Sequence, residues 1–240
     1  MTKYMINYIS CAKDFYELIL RDYSSSAPKA ITFVNPYSYY MIFDNDSLSH
    51  KFDFIFADGA LLVMLHNFFS KRKIDRLSFD FSSMAGSLFD FANNNNLSVA
   101  LVGGTKEEMS NCIVFLQRKY PSINFNNSRH GFFEDESEIN DYLYSISDSI
   151  DILISGMGTP LQEEFVVKAK KITHARLFFT CGGFITQTGT KGDYYHPLIK
   201  KSGLRWLQRA LGSSHVRRRL IYNYPVFVFK YISDNLRGRL

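Results

Sequence analysis

Three groups of residues have the types and spacing to act on a phosphorylated or hydroxylated substrate. In Asp151–Glu163 (DILISGMGTPLQE) the apolar run Ile152–Ile154 stops at Gly156 and Gly158, and Pro160, Gln162 and Glu163 then open a helical stretch. A strand of this kind delivers its carboxyl end into a glycine turn and a helix N-terminus, where unpaired N–H groups favour anions. Asp58 closes the apolar run Phe52–Ala57 and precedes Gly59. A carboxylate there can take a proton from a hydroxyl or cap the helix that follows, and position alone leaves both open. Arg76 has the planar fork that grips phosphate, or it forms an ion pair with Asp80, four residues on.

Positioning these groups requires a sheet. Ala30–Val34, Phe52–Ala57, Leu97–Val102, Ser122–Asn126, Asp151–Ser155 and Arg176–Thr180 read as strands, most of them ending at Gly, Asn or Asp. Helical spacing follows in Ala60–Phe69, after Thr105, in Glu134–Ser147 and in Leu161–Ile172. Thr105 suits an N-cap, and Glu107 and Glu108 in the first turn suit the helix dipole. Repeated strand–turn–helix units predict an α/β fold, Rossmann-like, with a mostly parallel sheet and helices on both faces. Strand carboxyl ends in such a sheet share one edge. Asn35, Asp58, Gly103, Gly104, Gly156, Gly158 and Gly182 should therefore converge on one crevice.

The net charge of +5 conceals an asymmetry. From Lys200 to Leu240 ten basic residues face one acidic residue, Asp234, so this tail carries +9 and the rest of the chain −4. We divide the chain into an α/β catalytic domain, residues 1–189, and a basic, aromatic appendage, residues 190–240. In the appendage Leu204, Leu207 and Leu211 fall on one helical face. Arg217–Arg219 precede Leu220–Ile232, a mostly apolar and aromatic stretch interrupted by Pro225. That stretch is too short to span a bilayer but suits an interfacial helix on an anionic membrane. A packing helix with a solvated basic face is the plainer alternative. Nucleic acid is not expected, because no recognition motif accompanies the charge.

Other chemistries fit poorly. Three scattered cysteines argue against a disulfide framework or zinc site and for a reducing compartment. The start, MTKYMINYIS, lacks a signal-peptide core, and no run of about 18 apolar residues suggests a membrane span. Asp44-Asn45-Asp46 has the form used by metal-dependent sugar transferases but lies away from a strong strand end, so no metal site is expected. Gly156-Met157-Gly158 lacks the third glycine of a dinucleotide fingerprint.

Taken in order, Asp58-Gly59, Arg76, Leu101–Gly104, His130–Phe133, Gly156–Glu163, Cys181–Phe184 and Gly203–Arg209 resemble the motifs of the WecG/TagA/CpsF glycosyltransferases, glycosyltransferase family 26. The resemblance implies an inverting hexosyltransferase without a metal or other cofactor. It would move a sugar from a UDP-sugar to a polyprenyl-diphosphate-linked saccharide for a bacterial surface polysaccharide. The enzyme would lie on the cytoplasmic face of the membrane as a peripheral protein, self-association being possible. Asp58 matches the catalytic base. Arg76 and Gln162 match polar active-site positions, with Glu163 beside them. Arg209 and Arg217–Arg219 are candidates to hold the departing diphosphate. Two departures stand out: Asn35 follows Thr32 at a spacing unlike the usual Thr-x-Asn, and Ile185 stands where many members have an aspartate. A non-catalytic nucleotide- or sugar-binding regulator is the alternative reading.

Overall fold

The structure is a computed structural model that describes residues 9–21, 23, 27–191 and 217–238. In chain order its elements are α1 (Ala12–Asp14) with a π-helical turn at Phe15–Leu20, β1 (Lys29–Val34), α2 (Tyr39–Phe43), α3 (Asp46–Ser49), β2 (Phe54–Ala57), α4 (Ala60–Phe69) and α5 (Met84–Asn94). They continue with β3 (Val99–Gly103), α6 (Lys106–Lys119), α7 (Glu136–Ser145), β4 (Ile152–Gly156), α8 (Leu161–Ile172), β5 (Leu177–Thr180) and α9 (Phe184–Lys191). A second π-helical turn, Arg219–Asn223, leads into α10 (Tyr224–Leu236).

All pairings among the five strands are parallel, in the order β2-β1-β5-β4-β3. The expected α/β architecture is therefore present. Its strands are buried on both faces, so alternate residues feed two cores. Ala30, Val34, Ala100, Val102, Leu153 and Phe178 face one, together with α2, α4 and α8. Ile31, Leu101, Ile152, Ile154 and Phe179 face the other, together with α5, α6 and α9. Helix α6 begins as its sequence suggests. Thr105 Oγ1 accepts the Glu108 N–H at 3.2 Å, and Glu108 Oε2 accepts the Thr105 N–H at 2.8 Å, a reciprocal capping box.

One expected strand is absent. Ser122–Asn126 contributes only a parallel bridge from Asn124 to Ser98, and a second bridge joins Arg129 to Val102. Pro121 precedes this edge segment, and Asn124 Oδ1 accepts the Asn126 N–H at 3.0 Å, a local turn that competes with the ladder.

Pro225 does not interrupt the C-terminal stretch. It lies in the first turn of α10, where a missing N–H costs little. Phe227 and Tyr231 of α10 are buried, with ring centroids 5.6 and 5.5 Å from that of Tyr39. Burying Phe227 is worth about 2 kcal/mol. Tyr40 donates to Asp234 at 3.0 Å, and Lys230 pairs with Asp44 at 2.7 Å. Thus α10 packs on α2, the helix that directly follows β1. The expected helix around Leu204, Leu207 and Leu211 lies outside the described residues.

Candidate active site

Asp58 is the first residue past β2, and its N–H donates to the Val34 carbonyl at 2.7 Å, stitching together the ends of β1 and β2. It does not cap α4. Gly59, at φ +104°, is the N-cap, without a side-chain bond. The Asp58 carboxylate instead accepts Arg76 Nη2 at 3.0 Å. Arg76 reaches that place because the segment after α4 is clasped. Asn67 exchanges two 2.8 Å bonds with the backbone of Ile74, His66 Nε2 meets the Arg72 carbonyl at 3.0 Å, and the Leu77 N–H donates to Ala57 at 3.0 Å. The same Arg76 Nη2 also donates to Ser78 Oγ at 2.7 Å and to Asp80 Oδ2 at 3.2 Å. Burial alone would weaken the guanidinium's hold on its proton, but the carboxylates of Asp58 and Asp80 outweigh it and raise its pKa. Of the two sequence readings of Arg76, the structure shows the ion pair. It pairs with Asp80 and with Asp58 at once.

Asn35 ends β1 and orders the next turn. Its Oδ1 accepts the N–H groups of Tyr37 and Ser38 at 2.9 and 3.2 Å, an Asx turn. Above that turn the Arg219 guanidinium stacks on the Tyr37 ring, 3.9 Å from its centroid. Its Nε is buried without a hydrogen-bond partner. Arg217 and Arg218 are exposed. Arg209 lies outside the described residues, as does the rest of Gly203–Arg209.

A second polar cluster sits where β1, β5 and α8 meet. Ile31 pairs with Phe179, so Thr32 and Thr180 come level, 2.8 Å apart between hydroxyl oxygens. Glu163 is fully buried beneath them. Its Oε1 accepts Thr32 at 3.1 Å, Thr159 at 3.2 Å and Gln162 at 2.8 Å, while Oε2 is unpartnered. Burial raises its pKa, against the pull of its hydrogen-bond donors. Gln162 is buried as well. Its Nε2 serves Glu163 and Thr159, and its Oε1 accepts the Gly182 N–H at 3.1 Å. In this structure Gln162 holds the Gly182 turn and Glu163 holds Gln162, both side chains being buried within the protein.

The glycines divide by role. Gly103 and Gly156 are register partners, and a Cβ on Gly103 would stand 2.7 Å from the Gly156 carbonyl carbon and oxygen. That glycine is demanded by backbone packing. Gly158, at φ +83°, has nothing within 4 Å of where a Cβ would be, and Gly104 is also left-handed, at φ +62°. Those two keep the turn conformations that L side chains disfavour.

Every described site candidate except Arg217 and Arg218 therefore lies along or just beneath the carboxyl edge of the sheet. Asp58 and Arg76 touch, Asn35 ends the adjacent strand, and Gln162 and Glu163 form a separate buried network one strand further on. Sequence reading passed over Ser78, Tyr37, Asn67 and Thr159. Ser78 had a signal: Arg76, Ser78 and Asp80 alternate along a non-helical segment, which puts them on one side of the chain. Among the described residues no cluster of His, Cys, Asp and Glu could hold a metal ion.

Comparison with known proteins identifies the family. The family model described as "Glycosyl transferase WecG/TagA/CpsF family" matches residues 3–240. A relative from Shigella boydii, named UDP-Gal:alpha-D-GlcNAc-diphosphoundecaprenol beta-1,4-galactosyltransferase, is 40% identical over 206 residues, 86% of each chain. A relative from Staphylococcus aureus, named N-acetylglucosaminyldiphosphoundecaprenol N-acetyl-beta-D-mannosaminyltransferase, is 23% identical over 85% of this chain and 76% of its own. Both carry the names of sugar transferases, which favours catalysis over the binding-only alternative. The chain belongs to the WecG/TagA/CpsF family of glycosyltransferases and is itself a glycosyltransferase.

Proposed function

We propose that this enzyme moves a hexosyl group, galactose in the first instance, from a UDP-sugar to N-acetylglucosamine linked to undecaprenyl diphosphate. The donor and acceptor follow the name of the 40% identical relative. The observation that carries the chemistry is the Asp58 carboxylate at the end of β2, oriented by Arg76 at 3.0 Å. In the reaction the acceptor hydroxyl oxygen attacks the anomeric carbon while Asp58 takes its proton. The bond to the diphosphate breaks and UDP leaves with the electron pair. Attack opposite the leaving group inverts the anomeric centre. No metal takes part in this scheme, and Asp44 of the Asp-x-Asp triplet is engaged by Lys230. Arg217–Arg219 supply positive charge for the departing diphosphate, Arg219 from its seat on Tyr37.

The membrane side of the proposal rests on α10 and its neighbourhood. Ile221, Tyr222, Val226 and Phe229 are exposed, and Phe68 on α4, whose neighbour Phe69 meets Tyr231 at 6.4 Å, is 79% exposed. Lys71–Lys73 and Arg217–Arg218 add cations near these residues. No described helix is long and apolar enough to cross a bilayer, so this surface would lie on an anionic leaflet. On this reading residues 1–189 carry the base, and residues 190–240 dock the enzyme and lend the arginines that face the departing diphosphate.

Mass spectrometry of products from UDP-galactose and other UDP-sugars with a short-chain lipid-linked acceptor tests the activity. A new hexose on the acceptor with stoichiometric UDP is expected, and UDP binding without any product would overturn it. For docking, V226S/F229S in the full chain should weaken sedimentation with phosphatidylglycerol-containing vesicles by about tenfold, with unchanged melting, since both side chains are exposed. Unchanged sedimentation would refute the docking surface, and a loss of self-association in its place would assign the face to a second copy.

A further inference from the structure

Three acceptors converge on one nitrogen. Arg76 Nη2 has two protons, yet Ser78 Oγ, Asp58 Oδ1 and Asp80 Oδ2 lie 2.7, 3.0 and 3.2 Å from it. They differ in depth. The Asp58 side chain is 21% exposed and that of Asp80 only 9%, while Ser78 is buried. Asp80 is also fixed from behind: its Oδ1 accepts the Ser82 N–H at 2.9 Å and the Ser82 hydroxyl, in the turn that leads into α5. Ser78 donates to Asp80 Oδ2 at 2.7 Å and so presents a lone pair to Arg76. The arginine thus has two inner partners held in place by the fold and one outer partner facing the edge of the sheet.

We propose that Asp80 is a positioning residue for sugar transfer, holding Arg76 with Ser78 so that this arginine orients Asp58 instead of gripping substrate phosphate. The inference rests on the reading of Asp58 as the base. Among the described residues, the two carboxylates and one guanidinium bonded together here sum to −1, a balance that disfavours a diphosphate at this point and accommodates a neutral sugar hydroxyl. When Asp58 takes the acceptor proton, Asp80 still balances Arg76 and the cluster becomes neutral. Without Asp80 the same step would leave an uncompensated, half-buried cation, which is costly. This leaves the phosphate-binding duty with the arginines before α10, as proposed above.

The test measures kcat and the KM of donor and acceptor separately in full-length D80N, S78A, S78T and D58N, with melting curves for each. D80N should lower kcat by roughly 30-fold, the scale of a slightly misplaced reacting group, with both KM values within about threefold. S78A should lose less, and S78T should recover most of what S78A loses. Tighter UDP-sugar binding in D80N, by fivefold or more at unchanged kcat, would show an arginine released to grip phosphate and overturn the proposal. So would a folded D80N with ordinary kcat. If D80N does not fold, an S78A enzyme with undiminished kcat overturns it. An active D58N would instead sink the base assignment, whereas an inactive D58N beside an ordinary D80N sinks only the role of Asp80.

Discussion

Asp58 and Glu163 are carboxyl groups at the same edge of one parallel sheet, and their surroundings are opposite. Asp58 ends β2, is partly exposed, and faces an arginine shared with a second carboxylate. Glu163 enters from the first turn of α8, has no exposure, and is met by neutral donors, among them Thr32, Thr159 and Gln162. A charge with a charged partner near water can exchange a proton during a reaction. A carboxyl group buried among hydroxyls and an amide holds its neighbours still, and its charge is penalised by burial. One edge therefore contains a region suited to turnover and a region suited to rigidity, joined through β1, which carries Thr32 and ends at Asn35.

The contrast can be broken at either end. The largest expected effect is on activity: Asp58→Asn should lower kcat by about 10³-fold, within the range for general-base catalysis, while melting changes by the equivalent of about 1 kcal/mol or less. Steady-state kinetics and calorimetry on the same sample decide it, and a variant that unfolds would place Asp58 with the rigid region.

Next in size is Gly103→Ala. Its methyl would collide with the Gly156 backbone at 2.7 Å, where neither strand can give way. It should lose about 3 kcal/mol in urea unfolding, at the upper end of overpacking costs. A loss below about 1 kcal/mol would mean that this part of the edge is pliant.

The smallest effect concerns Glu163. Its folded pKa is raised, so its contribution to stability is complete below the unfolded value near 4.5 and is lost as pH rises through the folded value. Glu163→Gln stays neutral throughout. Relative to wild type, it should gain stability as pH is raised from 4.5 to 8, which paired melting curves across that range would reveal. A stability difference independent of pH would show that Glu163 carries the same charge folded and unfolded.

Much of the framework was legible in the residues themselves. Ala60–Phe69 and Leu161–Ile172 have the observed bounds, because helical spacing and a preceding glycine turn mark them locally. The strands were found to within a residue or two, since a short apolar run ending at Gly, Asn or Asp has few other uses. Ser122–Asn126 misled for the same reason in reverse: an apolar fragment beside asparagines makes its own turn when only one neighbour offers a ladder. Helix α5 went unread because Gly86 and Asp90 blur its pattern, and burial of Met84, Leu88 and Phe89 against the sheet outweighs weak propensity.

The sequence by itself determined that Asp58, Asn35 and the glycine turns end strands, because strand ends are local events marked by local residues. Only the tertiary structure decided what those ends touch. It brings Arg76 onto Asp58 by pairing Leu77 with Ala57 and clasping Ile74 with Asn67. It sends Gln162 and Glu163 inward under Thr32, 131 residues from Glu163 in the chain. It also sets α10 on α2 and thereby stacks Arg219 on Tyr37. Such contacts depend on which strand lies beside which and on the depth at which a side chain ends. Neither is encoded in any short window of residues, because both follow from the packing of the whole sheet between its two cores.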